Sequence, residues 1–260
     1  MSSALYRVKR MLGSFMVMLA TLFAAQYASA GAVFLIGSDA IGFHGDASFV
    51  NPVINQLAAS DPSKPVLFLN NVGRTSVNYT AGTALIDFQS YGFLTTANLA
   101  NYSGVYVDSP YNCCSDAGPF MTPADSTKLA AFVAAGGSLG VGDYQGDSVW
   151  DATLGFSGSP GVTVPGPTCV DPGVSTASGL AFGFAPSYSE GCFVHQEYDP
   201  AFWSAHGYFA LQVTDSGSWV TMAAGFVEPG TVPEPATLGL LSAGLIGLGC
   251  ARRRKSACVL

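Results

Sequence analysis

Apolar runs and amphipathic stretches alternate along the first half of the chain. Each short apolar run reads as a strand buried on both faces, and each stretch with apolar residues at helical spacing reads as a helix. The predicted strands cover 32–37, 65–69, 105–108 and 138–143, and the predicted helices cover 47–60 and 122–135. This alternation predicts an α/β fold with an open, mainly parallel sheet and helices on both faces.

The amino-acid composition of the chain changes after Trp150. Gly, Pro, Ser and Thr dominate to about residue 189, and aromatic-rich runs follow at 193–194, 208–213 and 219–226. These runs predict two or three further strands, antiparallel at the sheet edge or in a β-rich extension over 151–230.

The first 30 residues have the pattern of a secretory signal peptide. A basic start is followed by an apolar run at 11–25 and by Ala28 and Ala30 in a small-residue cleavage site. The run is shorter than the roughly 20 residues of a membrane-spanning helix, which disfavours the alternative of an uncleaved anchor. We therefore expect the Sec machinery and signal peptidase to export a protein that begins at Gly31.

The last 30 residues, 231–260, carry a second targeting signal, which has three parts. Pro233, Glu234 and Pro235 precede an apolar run at 236–251, and Arg252, Arg253 and Arg254 follow it. At about 1.5 Å per residue the run reaches only about 24 Å, so it predicts a short transmembrane helix. The basic cluster keeps its own end in the cytoplasm and leaves the rest of the protein outside.

These three parts, in this order, resemble the PEP-CTERM sorting signal of Gram-negative bacteria. The resemblance implies that an exosortase-type membrane peptidase cuts at the Pro-Glu-Pro. The protein would then be released or re-anchored at the cell surface or in the exopolysaccharide matrix of a biofilm. The alternative is an ordinary single-pass anchor, which needs no Pro-Glu-Pro.

Composition and charge limit which classes of molecule residues 31–230 can bind. We call these residues the body. Charged residues make up 10% of the chain, against about 25% in typical soluble proteins. The body holds three basic residues, Lys64, Arg74 and Lys128, against sixteen acidic ones, a net charge of −13. Such a charge excludes nucleic acid as a partner.

Residues 129–139 and the strand at 105–108 resemble the flavodoxin-like core of the class I glutamine amidotransferase-like superfamily. The resemblance implies a fold and not an activity, because Asp143 and Tyr144 stand where an amidotransferase has its nucleophilic cysteine. Ser138 lies in a G-x-S-x-G sequence, but it follows a helix and begins a strand, the reverse of a nucleophile elbow.

Four cysteines lie in the body, where an oxidising compartment favours disulfides. We expect Cys169 and Cys192 to form a disulfide. This disulfide would close a loop of about 24 residues and stabilise the folded protein by roughly 3 kcal/mol. Cys113 and Cys114 could form a vicinal bridge or each reach the later segment. Metal binding by these cysteines is disfavoured, because no histidine has the spacing of a zinc finger.

The carboxyl ends of parallel strands are where open α/β sheets bind ligands. The polar residues expected there are Ser38, Asp39, His44, Asp46, Asn70, Asn71, Asp108, Ser109, Asp143 and Asp147. Five of them, Asp39, Asp46, Asp108, Asp143 and Asp147, make a candidate Ca²⁺ site, which His195 and Glu197 could join. The alternative is that these Asp and Asn residues cap helices and turns.

Two functions remain open from the sequence. The first is a non-catalytic exported protein that binds a cation or polysaccharide, and the second is an extracellular hydrolase that uses acids at the strand ends. The hydrolase requires Asp39, Asp108 and Asp143 to share one pocket. Four aromatic side chains are candidates either for stacking on sugar rings or for the core: Tyr188, Tyr198, Trp203 and Tyr208.

Overall fold

Among the residues that the computed structural model of the protein describes, ten strands form one mixed sheet. The structure describes residues 31–38, 40–70, 73–108, 121–142, 153–156, 161–164, 173–187 and 194–225. The predicted signal peptide, all six cysteines and the sorting signal lie outside these ranges, so their cleavage, pairing and processing stay predictions.

Five strands in the first half of the chain run parallel to one another. They are β1 (Val33–Ile36), β2 (Val66–Asn70), β3 (Ile86–Ser90), β4 (Gly104–Val107) and β5 (Ser138–Gly142), in the spatial order β3-β2-β4-β5-β1. Every residue of β1, β2, β4 and β5 is buried, which explains their unbroken apolar sequences. The predicted parallel sheet is confirmed.

Helices cover both faces of this parallel sheet. They are α1 (Ala47–Ala58), α2 (Phe93–Thr96) and α3 (Pro123–Ala134), joined by a π-helical turn (Ala40–His44) and a 3₁₀ turn (Leu99–Asn101). Helix α3 begins as its sequence predicts, with Thr122 and Asp125 forming a reciprocal capping box and Pro123 in the first turn. No helix within the described ranges is both long and apolar enough to cross a membrane.

The second half of the chain adds short antiparallel strands. They are β6 (Val162–Val164), β7 (Val174–Ser175), β8 (Glu197–Tyr198), β9 (Phe209–Val213) and β10 (Trp219–Ala224), with helices α4 (Ala177–Phe182) and α5 (Pro200–Ala205). Strand β10 pairs antiparallel with β1, and β8 and β6 follow it outward. We call β6–β10 with α4 and α5 the extension. Strands β9 and β10 lie on two of the aromatic runs that predicted further strands, and β7, which pairs with β9, lies in the stretch rich in Gly and Pro.

Side chains that alternate along each strand feed two separate cores. On one face Phe34 and Phe68 pack with Phe49 and Ile54 of α1. On the other face Leu67 and Val105 pack with Leu129 of α3, and Trp203 of α5 joins the same cluster. The described residues, 31–225 with their gaps, therefore form a three-layer α/β structure whose sheet is the middle layer.

Candidate functional site

The winding of the sheet reverses between β2 and β4. From β2 the chain continues outward to β3, whereas from β4 it continues to β5 on the opposite side. A crevice at such a reversal is where open α/β sheets bind ligands. The carboxyl ends of β2 and β4 bring two predicted site residues to this point, Asn70 and Asp108.

Asn70 closes the turn after β2 with its side chain. Its Oδ1 accepts a hydrogen bond from the backbone N–H of Arg74 at 2.8 Å, and its Nδ2 donates to the carbonyl oxygen of Arg74 at 3.2 Å. Asn70 is itself buried, so these bonds are shielded from water. The backbone of Arg74 is thereby fixed at the edge of the sheet.

Asp108 lies beside Arg74 at the end of β4. Its Oδ2 is 3.9 Å from Nε of Arg74, and only 7% of the residue is exposed. The backbone of Asp108 is held as well, because its N–H bonds to Leu69 at 2.9 Å and its carbonyl accepts the hydroxyl of Tyr91. The guanidinium compensates a carboxylate whose burial would otherwise be costly.

The π-helical turn packs directly against this carboxylate. A Cβ atom at Gly42 would lie 2.1 Å from Oδ1 of Asp108, closer than any real Cβ contact. Only glycine lets the turn approach so closely, and π-helical turns are frequent at functional sites. Gly42, Asp108, Arg74 and Asn70 thus form one packed polar group, which we call the edge cluster.

The carboxyl end of β1 is closed by the extension. The carbonyl oxygen of Gly37 accepts hydrogen bonds from the backbone N–H groups of His195 and Gln196, both at 2.9 Å. Ser38 forms a bridge with Val194, and its hydroxyl is buried without a hydrogen-bond partner in the described part of the chain. His195 and Glu197 are both buried, and the strand predicted to hold them begins only at Glu197.

The two described members of the predicted Ca²⁺ site each have another partner. Oδ1 of Asp46 accepts hydrogen bonds from the backbone N–H and the hydroxyl of Ser48, at 2.8 and 2.7 Å, and so caps α1. Asp108 belongs to the edge cluster. No group of three or more His, Cys, Asp or Glu side chains that could hold a metal occurs among the described residues.

The remaining predicted site residues divide into two sets. The first set lies outside the described residues: Asp39, Asn71, Ser109, Asp143, Asp147, Tyr188 and the side chain of His44. Tyr198, Trp203 and Tyr208 are buried in the second core, so the core role that the sequence left open for them is the one the structure shows.

Sequence reasoning missed two members of the edge cluster, Arg74 and Gly42. Arg74 is the only arginine of the body, and it follows Asn70 by four residues. An arginine that is rare in the body and lies close after a strand-end asparagine is a pattern that favours a contact between the two residues. Nothing in the sequence marks Gly42, because its role depends on a contact with a distant residue.

Comparison with known proteins identifies the C-terminal sorting signal. The family model of the PEP-CTERM protein-sorting motif matches residues 231–255. The motif implies an exported protein that an exosortase sorts to the cell surface. The match includes the Pro-Glu-Pro and the arginine cluster named above. No curated protein and no solved structure matches the chain, so the amidotransferase-like resemblance of the body has no support.

Proposed function

We propose that the body is a non-catalytic protein of the cell surface or extracellular matrix, retained there after exosortase processing through association with exopolysaccharide. The sorting motif at 231–255 supports export and processing. The observation that favours binding over catalysis is the state of Asp108. Its carboxylate is buried against Gly42 and faces Arg74. A general acid or base must reach the substrate and exchange a proton with it, which this packing opposes.

The second described acid of the edge supports the same proposal. Asp46 caps α1, and moving it toward a substrate would leave the backbone N–H of Ser48 unpaired in the first turn. A hydrolase of the retaining or inverting kind needs two carboxyl groups facing one bond. Of the three acids that the hydrolase requires, Asp108 is the one within the described ranges, and it faces a structural partner, Arg74.

Calcium binding is a further part of the proposal, at Asp39, Asp143 and Asp147. The topology that favours it is the pairing of β1 with β5, in which Ile36 lies opposite Gly142. The chain therefore leaves two neighbouring strands at the same edge just before Asp39 and Asp143. Carboxylate oxygens are the ligands that Ca²⁺ prefers. Unfolding temperature measured with Ca²⁺ and with a chelator tests this part, and an unchanged temperature rejects it.

The proposal is tested with the processed protein recovered from its host. The protein is mixed with exopolysaccharide from the same host, and both co-sedimentation and newly released reducing ends are measured. We expect co-sedimentation without release of reducing ends. Release that is lost in Asp108→Asn but kept in Asp61→Asn, an exposed aspartate, would establish the hydrolase instead.

A further inference from the structure

An open cleft without charged side chains lies on the α1 face of the molecule. It has a volume of about 240 Å³ and runs between the second half of α1 and residues 77–84, which we call the strap. This volume is below the roughly 300–1,000 Å³ of pockets for drug-sized ligands, so it limits the ligand to about one ring. The cleft is separate from the edge cluster, since Leu57 in the same part of α1 packs on Gly104, where β4 begins.

Two asparagines of α1, one turn apart, hold the strap in place. Oδ1 of Asn51 accepts the backbone N–H groups of Thr80 at 2.8 Å and Ala81 at 3.2 Å, and its Nδ2 donates to Oγ1 of Thr80 at 3.2 Å. The hydroxyl of Tyr79 donates to Oδ1 of Asn55 at 2.6 Å. The wall of the cleft is thus fixed before any ligand arrives, which lowers the entropic cost of binding.

Gly82 allows the strap to pass over the Tyr79–Asn55 hydrogen bond. A Cβ atom at Gly82 would lie 1.9 Å from the hydroxyl oxygen of Tyr79 and 2.9 Å from Oδ1 of Asn55. A side chain at this position would therefore displace the strap or break the bond. The shape of the cleft depends on this glycine, as expected where backbone must approach other groups closely.

The lining presents polar and apolar groups but no charge. The Nδ2 group of Asn55 has no hydrogen-bond partner within the described ranges. The hydroxyl of Tyr79 donates its proton to Asn55 and can still accept, and that of Thr83 can accept or donate. Pro62, Ala58 and Ala84 supply apolar surface between them. The nearby cation Lys64 is engaged by Asp61 at 3.1 Å. A charged ligand would lose hydration here without gaining a counter-charge.

We propose that this cleft binds a neutral sugar ring. Sugar hydroxyls match the amide of Asn55 and the hydroxyls of Thr83 and Tyr79, and the C–H face of a ring matches Pro62 and the alanines. The inference deepens the proposed function by naming the class of glycan and its site. The two fail separately, because binding to the purified protein does not depend on where the cell places it.

The test titrates the processed protein with two neutral probes, cellotetraose and maltotetraose, and one charged probe, tetragalacturonate, by calorimetry and NMR. We expect at least one neutral probe to bind at least tenfold more tightly than the charged probe, with the tyrosine and asparagine resonances of the cleft shifting. Failure of both neutral probes to bind, or equal binding of the charged one, would overturn the proposal.

Two variants locate the binding in the cleft. Thr83→Val removes one hydroxyl at constant shape and should weaken the neutral probe about three- to tenfold, the effect of one hydrogen bond. Gly82→Ala should abolish binding by displacing the strap or breaking the Tyr79–Asn55 hydrogen bond. Thr127→Val, an exposed threonine on α3, is the matched control and should bind like the natural protein. Unchanged affinity in Thr83→Val would contradict the assignment even if Gly82→Ala fails to fold.

Discussion

The parallel half of the molecule, β1–β5 with α1–α3, is packed differently from the extension, β6–β10 with α4 and α5. In the parallel half, strands four or five residues long lie between helices, and the core mixes aliphatic side chains with the rings of Phe34, Phe68 and Tyr106. In the extension, strands β6, β7 and β8 have only two or three residues. The extension compensates with rings: Tyr198, Phe202, Tyr208 and Phe156 all have centroids 4.9–5.8 Å from the ring of Trp203.

This contrast shows which side chains the stability of each region depends on. A wide core spreads the loss of one side chain over many neighbours, whereas a cluster built around one indole depends on that indole. Trp203 also donates from Nε1 to the carbonyl oxygen of Gly161 at 3.2 Å, which ties α5 to the start of β6. The extension should therefore respond more sharply to single substitutions than the parallel half.

Removing the central ring should have the largest effect. Trp203→Ala is expected to lower the free energy of unfolding by about 3–5 kcal/mol, and Leu129→Ala in the parallel half by about 2–4 kcal/mol. Leu85→Ala, at a leucine that is 65% exposed, should change it by less than about 0.5 kcal/mol. Denaturant unfolding of the processed protein measures all three. A smaller loss for Trp203→Ala than for Leu129→Ala would remove the contrast.

The junction between the two regions is the next target. A Cβ atom at Gly37 would lie 2.2 Å from the carbonyl oxygen of Gln196, so Gly37→Ala must push β1 and the extension apart. We expect a cost of about 1–3 kcal/mol, typical of overpacking. Gly92→Ala is the control, because Gly92 has a helical φ of −58° and 4.0 Å of free space. Equal unfolding curves for the two variants would show that the junction is loose.

Two threonine caps allow the regions to be compared at one residue type. Thr122 caps α3 and donates its hydroxyl to Oδ2 of Asp125 at 2.8 Å, so both of its contacts lie within one turn of the same helix, and Thr122→Ala should cost about 1 kcal/mol. Thr176 caps α4 and also donates to the carbonyl oxygen of Ala210 at 2.8 Å, so it joins helix and strand in the extension. Thr176→Ala should therefore cost more, up to about 2 kcal/mol. Thermal unfolding ranks the pair, and the reverse order would contradict this account.

Two tyrosines should give the smallest signal, visible only at high pH. Burial, followed by a 2.7 Å hydrogen bond to Asp87, raises the pKa of Tyr102 to about 12, and burial alone raises the pKa of Tyr208 well above its usual value. A raised pKa favours the neutral phenol in the folded state. Its stabilising contribution is therefore complete below about pH 10 and is lost as the pH rises toward 12.

Ultraviolet titration of the phenols separates these two causes. Asp87→Asn should lower the pKa of Tyr102 and leave that of Tyr208 unchanged, because only the first phenol bonds to a carboxylate. Tyr102→Phe and Tyr208→Phe assign the two transitions. Movement of both pKa values in Asp87→Asn would mean that the regions are coupled electrostatically.

The parallel half could be predicted where burial on both faces leaves an unbroken apolar sequence. That condition holds for β1, β2, β4 and β5, and the capping residues of α3 are equally direct. It fails for β3, an edge strand with Asp87 and Gln89 among its half-buried residues, so no apolar run marks this strand in the sequence. In the extension, strands of two residues are too short to produce any periodicity.

The candidate site was predictable as a place but not as a set of contacts. Topology alone put Asn70 and Asp108 at the carboxyl edge, where both are found. Their partners depend on long-range packing: Arg74 faces a carboxylate 34 positions away, and Gly42 approaches it from another element. The predicted role of Asp46 as a metal ligand competes with local capping, a contact between near neighbours that forms at no cost in loop closure.

The most direct test of the central claim is the intact mass of the protein recovered from the surface, matrix and medium of its host, measured with and without reduction. The account predicts a chain that begins at Gly31 and ends near Pro235, with the segment that includes Arg252 removed. Two disulfides would add about four hydrogens on reduction. A chain that keeps Arg252 to Leu260 would contradict the account, because the tail would then be a plain membrane anchor.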